Sequence, residues 1–337
     1  MNSPSHSYRT GAAGILFVAL FLIVSSCGTD RNNSGAETIL LAHAMGPTHP
    51  VTIAMEQMAE RLEEYSGGEL TLKIYPGGTL GGERKLLELM QIGAVDMTKV
   101  SGATLENIVP AIQVLSLPYL FRDRNHMINV LDGEVGRELL QQGEAYKLKG
   151  IAYYDAGSRS LYTVNKPVRT PEDLSGMKMR VMESVTAIKL MDTMGGSPTP
   201  ISYGELYTAF QGGMVDGAEN NPPSFYNSRH YEVCDYYIIN EHATIPDILV
   251  ISPELWNGLD DQKKQWLQRA IDDSVEFQRE LWQQSEKESM QAVQEAGVEI
   301  IYPDKEPFKR AIQPMYDHIQ QNDPELHKWV ERVRNVE

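Results

Sequence analysis

The sequence predicts an α/β fold arranged in two lobes, and three observations carry that expectation. Strand-length apolar runs alternate with helix-period segments in two successive stretches, an apolar run at Ile248–Ile251 returns after the second stretch, and Asp260–Ala296 contains neither Pro nor Gly. The length of 337 residues is too great for one small domain, since a domain holds roughly 150 residues. With 42% hydrophobic and 23% charged residues, the chain has the composition of a globular protein that buries real cores.

The first segment reads as an address. Ala12 to Val24, AAGILFVALFLIV, carries no charge and follows Arg9, as a secretory apolar region follows a positive start. It falls short of the roughly 20 apolar residues that a membrane anchor needs. Val24-Ser25-Ser26-Cys27 resembles a bacterial lipobox, which implies a signal peptide over residues 1–26 and a lipid on Cys27; a plain cleaved signal with an incidental cysteine is the alternative. With Cys27 acylated, Cys234 would be the one cysteine left, so no intramolecular disulfide is expected. Residues 27–36 are polar and rich in Gly, Ser and Asn, and read as a flexible tether.

Thr38–Ala42 is a short apolar run of strand length. After a Gly-Pro turn, Ile53, Met55, Met58, Ala59 and Leu62 recur at helical spacing up to Ser66-Gly67-Gly68. Leu70–Tyr75 alternates as a strand does, a helix follows over Glu83–Gly93, and Val95–Val100 reads as the next strand. Parallel strands of this kind need crossover helices, and ligands of such sheets collect beyond the carboxyl ends of the strands, near His43, Gly77 and Lys99. The second stretch has strands at Ile151–Asp155, Leu161–Asn165, Met177–Met182 and Val215–Ala218. Between them lie a short helical turn at Pro171–Leu174 and helices over Thr186–Met194 and Tyr203–Gly212. Ile248–Ile251 looks like a strand going back to the first sheet. At about 1.5 Å per residue an uninterrupted helix from Asp260 to Ala296 exceeds 50 Å and would span both lobes; a break near Ser285 is the competing reading. The expected division places residues 37–157 and 246–285 in one lobe, and residues 158–245 and 286–337 in the other.

Charge narrows the partners. Thirty basic against 46 acidic side chains give a net charge of −16, so nucleic acid and anionic membrane surfaces, which attract cationic proteins, are excluded. Neither a phosphate loop nor a Gly-x-Ser-x-Gly elbow is present, and no cofactor is expected. The spacing of His43 and His49 matches no zinc signature, and no metal is expected. An exported sugar-acid hydrolase would use Asp216 and Glu219 as paired carboxylates, yet residues three apart at a strand end do not define the separation glycosidases need. The protein is therefore not expected to be an enzyme.

Three stretches carry chemistry: Ala156-Gly157-Ser158-Arg159-Ser160, Gly176-Met177-Lys178-Met179-Arg180-Val181, and Ser197-Pro198-Thr199-Pro200 followed by Val215-Asp216-Gly217-Ala218-Glu219-Asn220-Asn221. In order and spacing, together with Leu115–Phe121 and Tyr203–Tyr207, they resemble the DctP-like solute-binding proteins of tripartite ATP-independent periplasmic (TRAP) transporters. The resemblance runs from about Thr38 to the C-terminus. It implies a periplasmic-binding-protein-like fold with a ligand cleft between its lobes, and a receptor that closes on an organic anion and delivers it to a sodium-coupled membrane permease. The periplasm is the implied location, with lipid attachment through Cys27 as a departure from freely soluble relatives.

Arg180 lies inside an otherwise apolar strand, where a guanidinium needs an anion, and its planar fork matches a carboxylate in two-pronged geometry. An internal Asp or Glu is the alternative partner. Lys178, Arg180 and Met182 share one strand face. The resemblance makes Arg159 a second cation at the cleft, with a structural salt bridge as its alternative, and makes Asn220 a ligand-bonding amide. Asn221 is either a neighbouring contact or a turn former. In the first lobe Lys99, Glu83, His43 and His49 are the candidates, although Glu83 also suits the N-terminal dipole of its helix. Among relatives this set looks most like the binders of uronates such as glucuronate or galacturonate; a C4-dicarboxylate, an aldonate or another carboxylic acid is the alternative.

Overall fold

The computed structural model describes residues 36–337, so the signal peptide, Cys27 and the tether up to Gly35 lie outside the described residues. Two sheets organise the chain. The first contains β1 (Glu37–Ala42), β2 (Leu70–Tyr75), β3 (Met97–Ser101), β4 (Lys149–Tyr154) and the later β10 (Asp247–Ile251) in the order β2-β1-β3-β10-β4. The strands β1, β2 and β3 run parallel, joined by α1 (Pro50–Ser66) and α2 (Glu83–Gln91). The returning β10 inserts antiparallel between β3 and β4, as the apolar run at 248–251 anticipates.

Between β3 and β4 the chain forms α3 (Gly102–Leu105), a 3-10 segment at Pro110–Ser116, α4 (Arg124–Asp132) and α5 (Glu134–Gln141). The second sheet contains β5 (Arg159–Thr163), β6 (Lys178–Val181), β7 (Ser197–Pro200), β8 (Gly217–Asn220), β9 (Tyr236–Ala243) and β11 (Glu299–Ile301), in the order β11-β9-β5-β8-β6-β7. Its helices are α6 (Val185–Thr193), α7 (Leu206–Gln211) and α8 (Pro222–Asn227); α9 (Pro253–Gly258) follows β10. The chain crosses between the sheets three times, at 155–158, at 244–246 and, between β10 and β11, over residues 252–298. One hydrophobic cluster draws on both sheets, with Val100 and Ile248 from the first and Leu161 and Met179 from the second.

The long helix α10 (Asp261–Glu295) runs unbroken for 35 residues, so the break near Ser285 does not occur. Asp260 caps it by accepting from the Lys263 backbone N–H at 2.8 Å. Leu267, Ala270, Ile271, Ser274, Gln278, Trp282, Ser289 and Val293 form its buried stripe, which lies against α1 and α8. Gln278 brackets the first crossing segment: its Oε1 accepts from Asp155 N at 2.9 Å and its Nε2 donates to Asp155 O at 2.7 Å. Two further helices, α11 (Glu306–Asn322) and α12 (Pro324–Arg334), close the chain's described part.

The structure shifts three expectations. Ile53 points outward at 37% exposure, because the buried phase of α1 runs through Val51, Ala54, Met55, Met58 and Leu62. The first turn of the expected 203–212 helix is 3-10, and α proper begins at Leu206. The strand expected at Val215–Ala218 begins instead at Gly217 and runs to Asn220. Asp216 is held in a turn, where its carboxylate accepts from Lys178 N at 2.8 Å and its own N–H donates to Lys178 O at 2.7 Å. That two-residue shift puts Glu219 and Asn220 on the sheet itself.

Candidate functional site

A cleft of about 720 Å³, including its open mouth, lies where the two sheets face each other. Pleating of β3 turns Met97, Lys99 and Ser101 to one face. The antiparallel register sets Asp247 opposite Ser101 and Leu249 opposite Lys99, so Asp247 and Lys99 are diagonal neighbours on that face. Lys99 Nζ lies 3.0 Å from Asp247 Oδ1 and 3.0 Å from Oε1 of Glu83, the first residue of α2. Glu83 Oε2 also accepts from Ser101 N at 3.1 Å and Thr104 Oγ1 at 2.8 Å. Burial opposes the ammonium charge, but the Asp247 and Glu83 carboxylates outweigh it and raise the Lys99 pKa above its ordinary value. Two carboxylates around one ammonium leave this wall with a net negative charge and spare acceptor lone pairs.

The opposite wall comes from the second sheet. Pairing of Leu161 with Glu219 makes Arg159 the diagonal neighbour of Glu219. Arg159 Nε donates to Glu219 Oε2 at 2.5 Å and one terminal nitrogen donates to Oε1 at 2.9 Å and to the Glu219 carbonyl at 3.0 Å. The other terminal nitrogen donates to Asn220 Oδ1 at 2.9 Å. Four of the five guanidinium donors are therefore taken within the protein, the salt bridge forms, and Arg159 also lines the cleft. Burial works against the Glu219 carboxylate, yet Arg159 and then His242 outweigh it and lower its pKa to about 2. Asn220 Oδ1 accepts from Arg159 and, at 2.9 Å, from Asn221 N, which fixes the amide so that Nδ2 is the spare donor at the cleft.

Arg180 is different. It is 2% exposed, and its Nε donates to the Ile201 carbonyl at 2.7 Å. No carboxylate of the described residues lies within ion-pair distance, and one terminal nitrogen is buried with no hydrogen-bond partner. Burial depresses its pKa, with the neighbouring Arg159 charge adding to the effect, but a guanidinium stays charged at any ordinary pH. The strand phase expected for Lys178, Arg180 and Met182 places Arg180 and Met182 in the cleft lining.

Of the remaining candidates, His49 and Asn221 line the cleft but have structural partners. Asn221 caps α8 by accepting from Ser224 N at 2.8 Å, which is the turn-forming alternative. His43 is not in the lining. Its backbone N–H bonds Tyr75 O at 3.1 Å and its carbonyl accepts from Gly78 at 3.0 Å, which extends the sheet register and turns the ring into the interior, while Ala44 and Met45 line the cleft. Burial, followed by the charge of Lys99, lowers its pKa to about 3, so the ring is neutral.

Sequence reasoning missed Asp247, Tyr203, Ser224 and Trp282 as lining residues. Asp247 had a signal, an acid heading the apolar run 248–251; Trp282 had none, because an aromatic on a helix's apolar stripe reads as core. The paired carboxylates of a hydrolase do not form, since Glu219 holds Arg159 and Asp216 holds the Lys178 backbone. Among the described residues, no group of three His, Cys, Asp or Glu side chains is placed to hold a metal.

Residues 41–323 match the family described as bacterial extracellular solute-binding protein, family 7. A solute-binding protein of Chromohalobacter salexigens is 35% identical over 86% of this chain and 87% of its own. A solved TRAP periplasmic solute-binding protein from a Bradyrhizobium species, in complex with α/β-D-galacturonate, has 40% identity and a TM-score of 0.86, covering 89% of this chain and 100% of that one. Another from Roseobacter denitrificans, with bound β-D-glucuronate, has 36% identity and the same TM-score of 0.86 over 89% of this chain and 100% of its own.

Proposed function

The chain belongs to the bacterial extracellular solute-binding proteins of family 7, and from that membership we propose that it is a TRAP-transporter receptor for a uronate such as glucuronate or galacturonate. It is a binding protein and not an enzyme, in keeping with the description of its family. The observation that carries the ligand reading is Arg180, a buried guanidinium whose charge no contacting carboxylate neutralises. An uncompensated buried charge is costly, and a ligand carboxylate gripped in two-pronged fashion removes that cost.

The spare Nδ2 of Asn220 supplies a further donor to the same carboxylate, and Met182 packs beside it. Across the cleft Glu83 and Asp247, held around Lys99, offer acceptors for sugar hydroxyls. A C4-dicarboxylate would bring its second anionic end against those two carboxylates, so a neutral polyol end fits better. The solved relatives with bound galacturonate and glucuronate support this choice.

Delivery to a sodium-coupled membrane permease, and attachment to a membrane through lipid on Cys27, complete the proposal. A thermal-shift screen over uronates, aldonates, sialic acid and dicarboxylates tests it. A ligand at a hundred times its dissociation constant stabilises the native state by about 2.7 kcal/mol, and a uronate should produce the largest shift. A shift with dicarboxylates and none with uronates would overturn the ligand assignment. Metabolic labelling that leaves the protein without fatty acid would refute the anchor.

A further inference from the structure

His49 occupies two positions at once. Its Nδ1 caps α1, accepting from Val51 N at 3.3 Å, which makes the ring the tautomer with hydrogen on Nε2. That Nε2–H lies 3.2 Å from Oγ of Ser224 in α8, so it donates across the cleft from a first-sheet helix to a second-sheet helix. The ring also rests on Trp282 of α10 at 5.9 Å between centroids. The preceding residue repeats the crossing, because Thr48 Oγ1 donates to Asn227 Oδ1 at 3.0 Å. Two consecutive residues of one lobe thus bond one short helix of the other, at a cleft whose Lys99 and Arg180 are 1% and 2% exposed.

We infer that the Thr48–Asn227 and His49–Ser224 bonds are a latch that holds the lobes shut over the ligand, so His49 acts on binding by positioning the lobes and not by contacting solute. The inference rests on the receptor reading above. Both His49 nitrogens are used by the protein, which leaves the ring no donor or acceptor for a sugar. Both bonds must break when α1 and α8 separate, so they contribute to the closed state alone. A latch of this kind acts on the dissociation rate. It strengthens every ligand that permits closure by the same factor.

A double-mutant cycle on the mature protein tests this with His49→Asn and Ser224→Ala, read by calorimetry with galacturonate and by small-angle scattering. Asparagine keeps the helix cap, because it accepts at that position as well as histidine does, but it is too short to reach Ser224. Each single change should weaken affinity about 5-fold, the value of one net hydrogen bond of about 1 kcal/mol, mainly through faster release. The double variant should be no weaker than the poorer single one. Ser224→Thr, which keeps the hydroxyl, should restore affinity, and the melting temperature of the Ser224 variants without ligand should not move.

Fully additive losses, or an unchanged Ser224→Ala, would overturn the latch. A wild-type protein that binds no uronate would sink the ligand reading alone. The same cycle, run on the scattering-derived closed fraction with whichever acid shifts melting, would still decide the latch.

Discussion

At the residue scale, Arg180 and Arg159 show how two arginines of similar promise take different roles. Both are buried on the second sheet, but Arg159 bonds Glu219 and Asn220, whereas among the described residues Arg180 donates only to the Ile201 carbonyl. Arg180→Lys should therefore fold and lose affinity about 10- to 100-fold, because a point charge replaces a fork whose charge-assisted bonds are worth about 1.5–3 kcal/mol. Calorimetry with galacturonate checks it, and unchanged affinity would remove Arg180 from the site. The sequence singled out Arg180, which lines the cleft, because a charge inside an apolar strand is visible without a fold. Which acid, if any, neutralises an arginine depends on diagonal pairing between strands, and the Arg159–Glu219 pair joins residues 60 positions apart.

At the scale of elements, α10 decides how the crossing segment is seated. Gly157 has φ +58° and lies over this helix so closely that a Cβ there would come within 2.1 Å of Glu286 Oε1 and 2.8 Å of Trp282 Nε1. Trp282 faces the cleft, while Glu286, one turn further on, lines a second cavity on the other side of the crossing segment with Asp155 and Arg124.

Burial, then the Asp155 charge, raises the Glu286 pKa to about 7, although Arg124 partly offsets this at 3.7 Å. A carboxyl whose folded value is raised stabilises the native state fully below its unfolded value near 4.5 and loses that contribution as pH rises through about 7. Glu286→Gln should therefore raise stability at pH 8 by roughly 1–3 kcal/mol and leave it nearly unchanged at pH 4.5. Thermal melts across this range provide the measurement, and equal effects at both ends would contradict it. The long helix itself was legible, because Asp260–Ala296 has no breaker and a polar cap. Its contact with Gly157 was not, since the two segments are more than 120 positions apart.

At the scale of the whole molecule, binding couples the two walls. The proposed carboxylate receptor Arg180 stands on the second sheet and the proposed hydroxyl acceptors Glu83 and Asp247 on the first, so only a ligand with both ends engages both. A ligand shifts an open-closed equilibrium by no more than its differential affinity for the two states. A six-carbon uronate should reduce the radius of gyration, and acetate at the same concentration should not. Small-angle scattering with equal profiles for free and uronate-saturated protein would contradict closure.

The sequence by itself determined the α/β alternation, the return of the 248–251 strand to the first sheet and the long helix, and eight of its nine candidate site residues line the cleft. The elements follow from local periodicity and from breakers and caps, and Arg180 from a charge set in an apolar run, whereas Arg159 and Asn220 came from the resemblance to a known family. Tertiary structure alone decided that Arg159 bonds Glu219, that His49 bonds Ser224 instead of standing free, that Asp247 joins Lys99, and that His43 turns inward. Each of those outcomes is set by strand register or by the approach of segments remote in the chain. A two-residue shift in where β8 begins is enough to move Glu219 and Asn220 onto the sheet, and no local pattern encodes that shift. The partner that fixes it, the Lys178 backbone, lies 38 positions away.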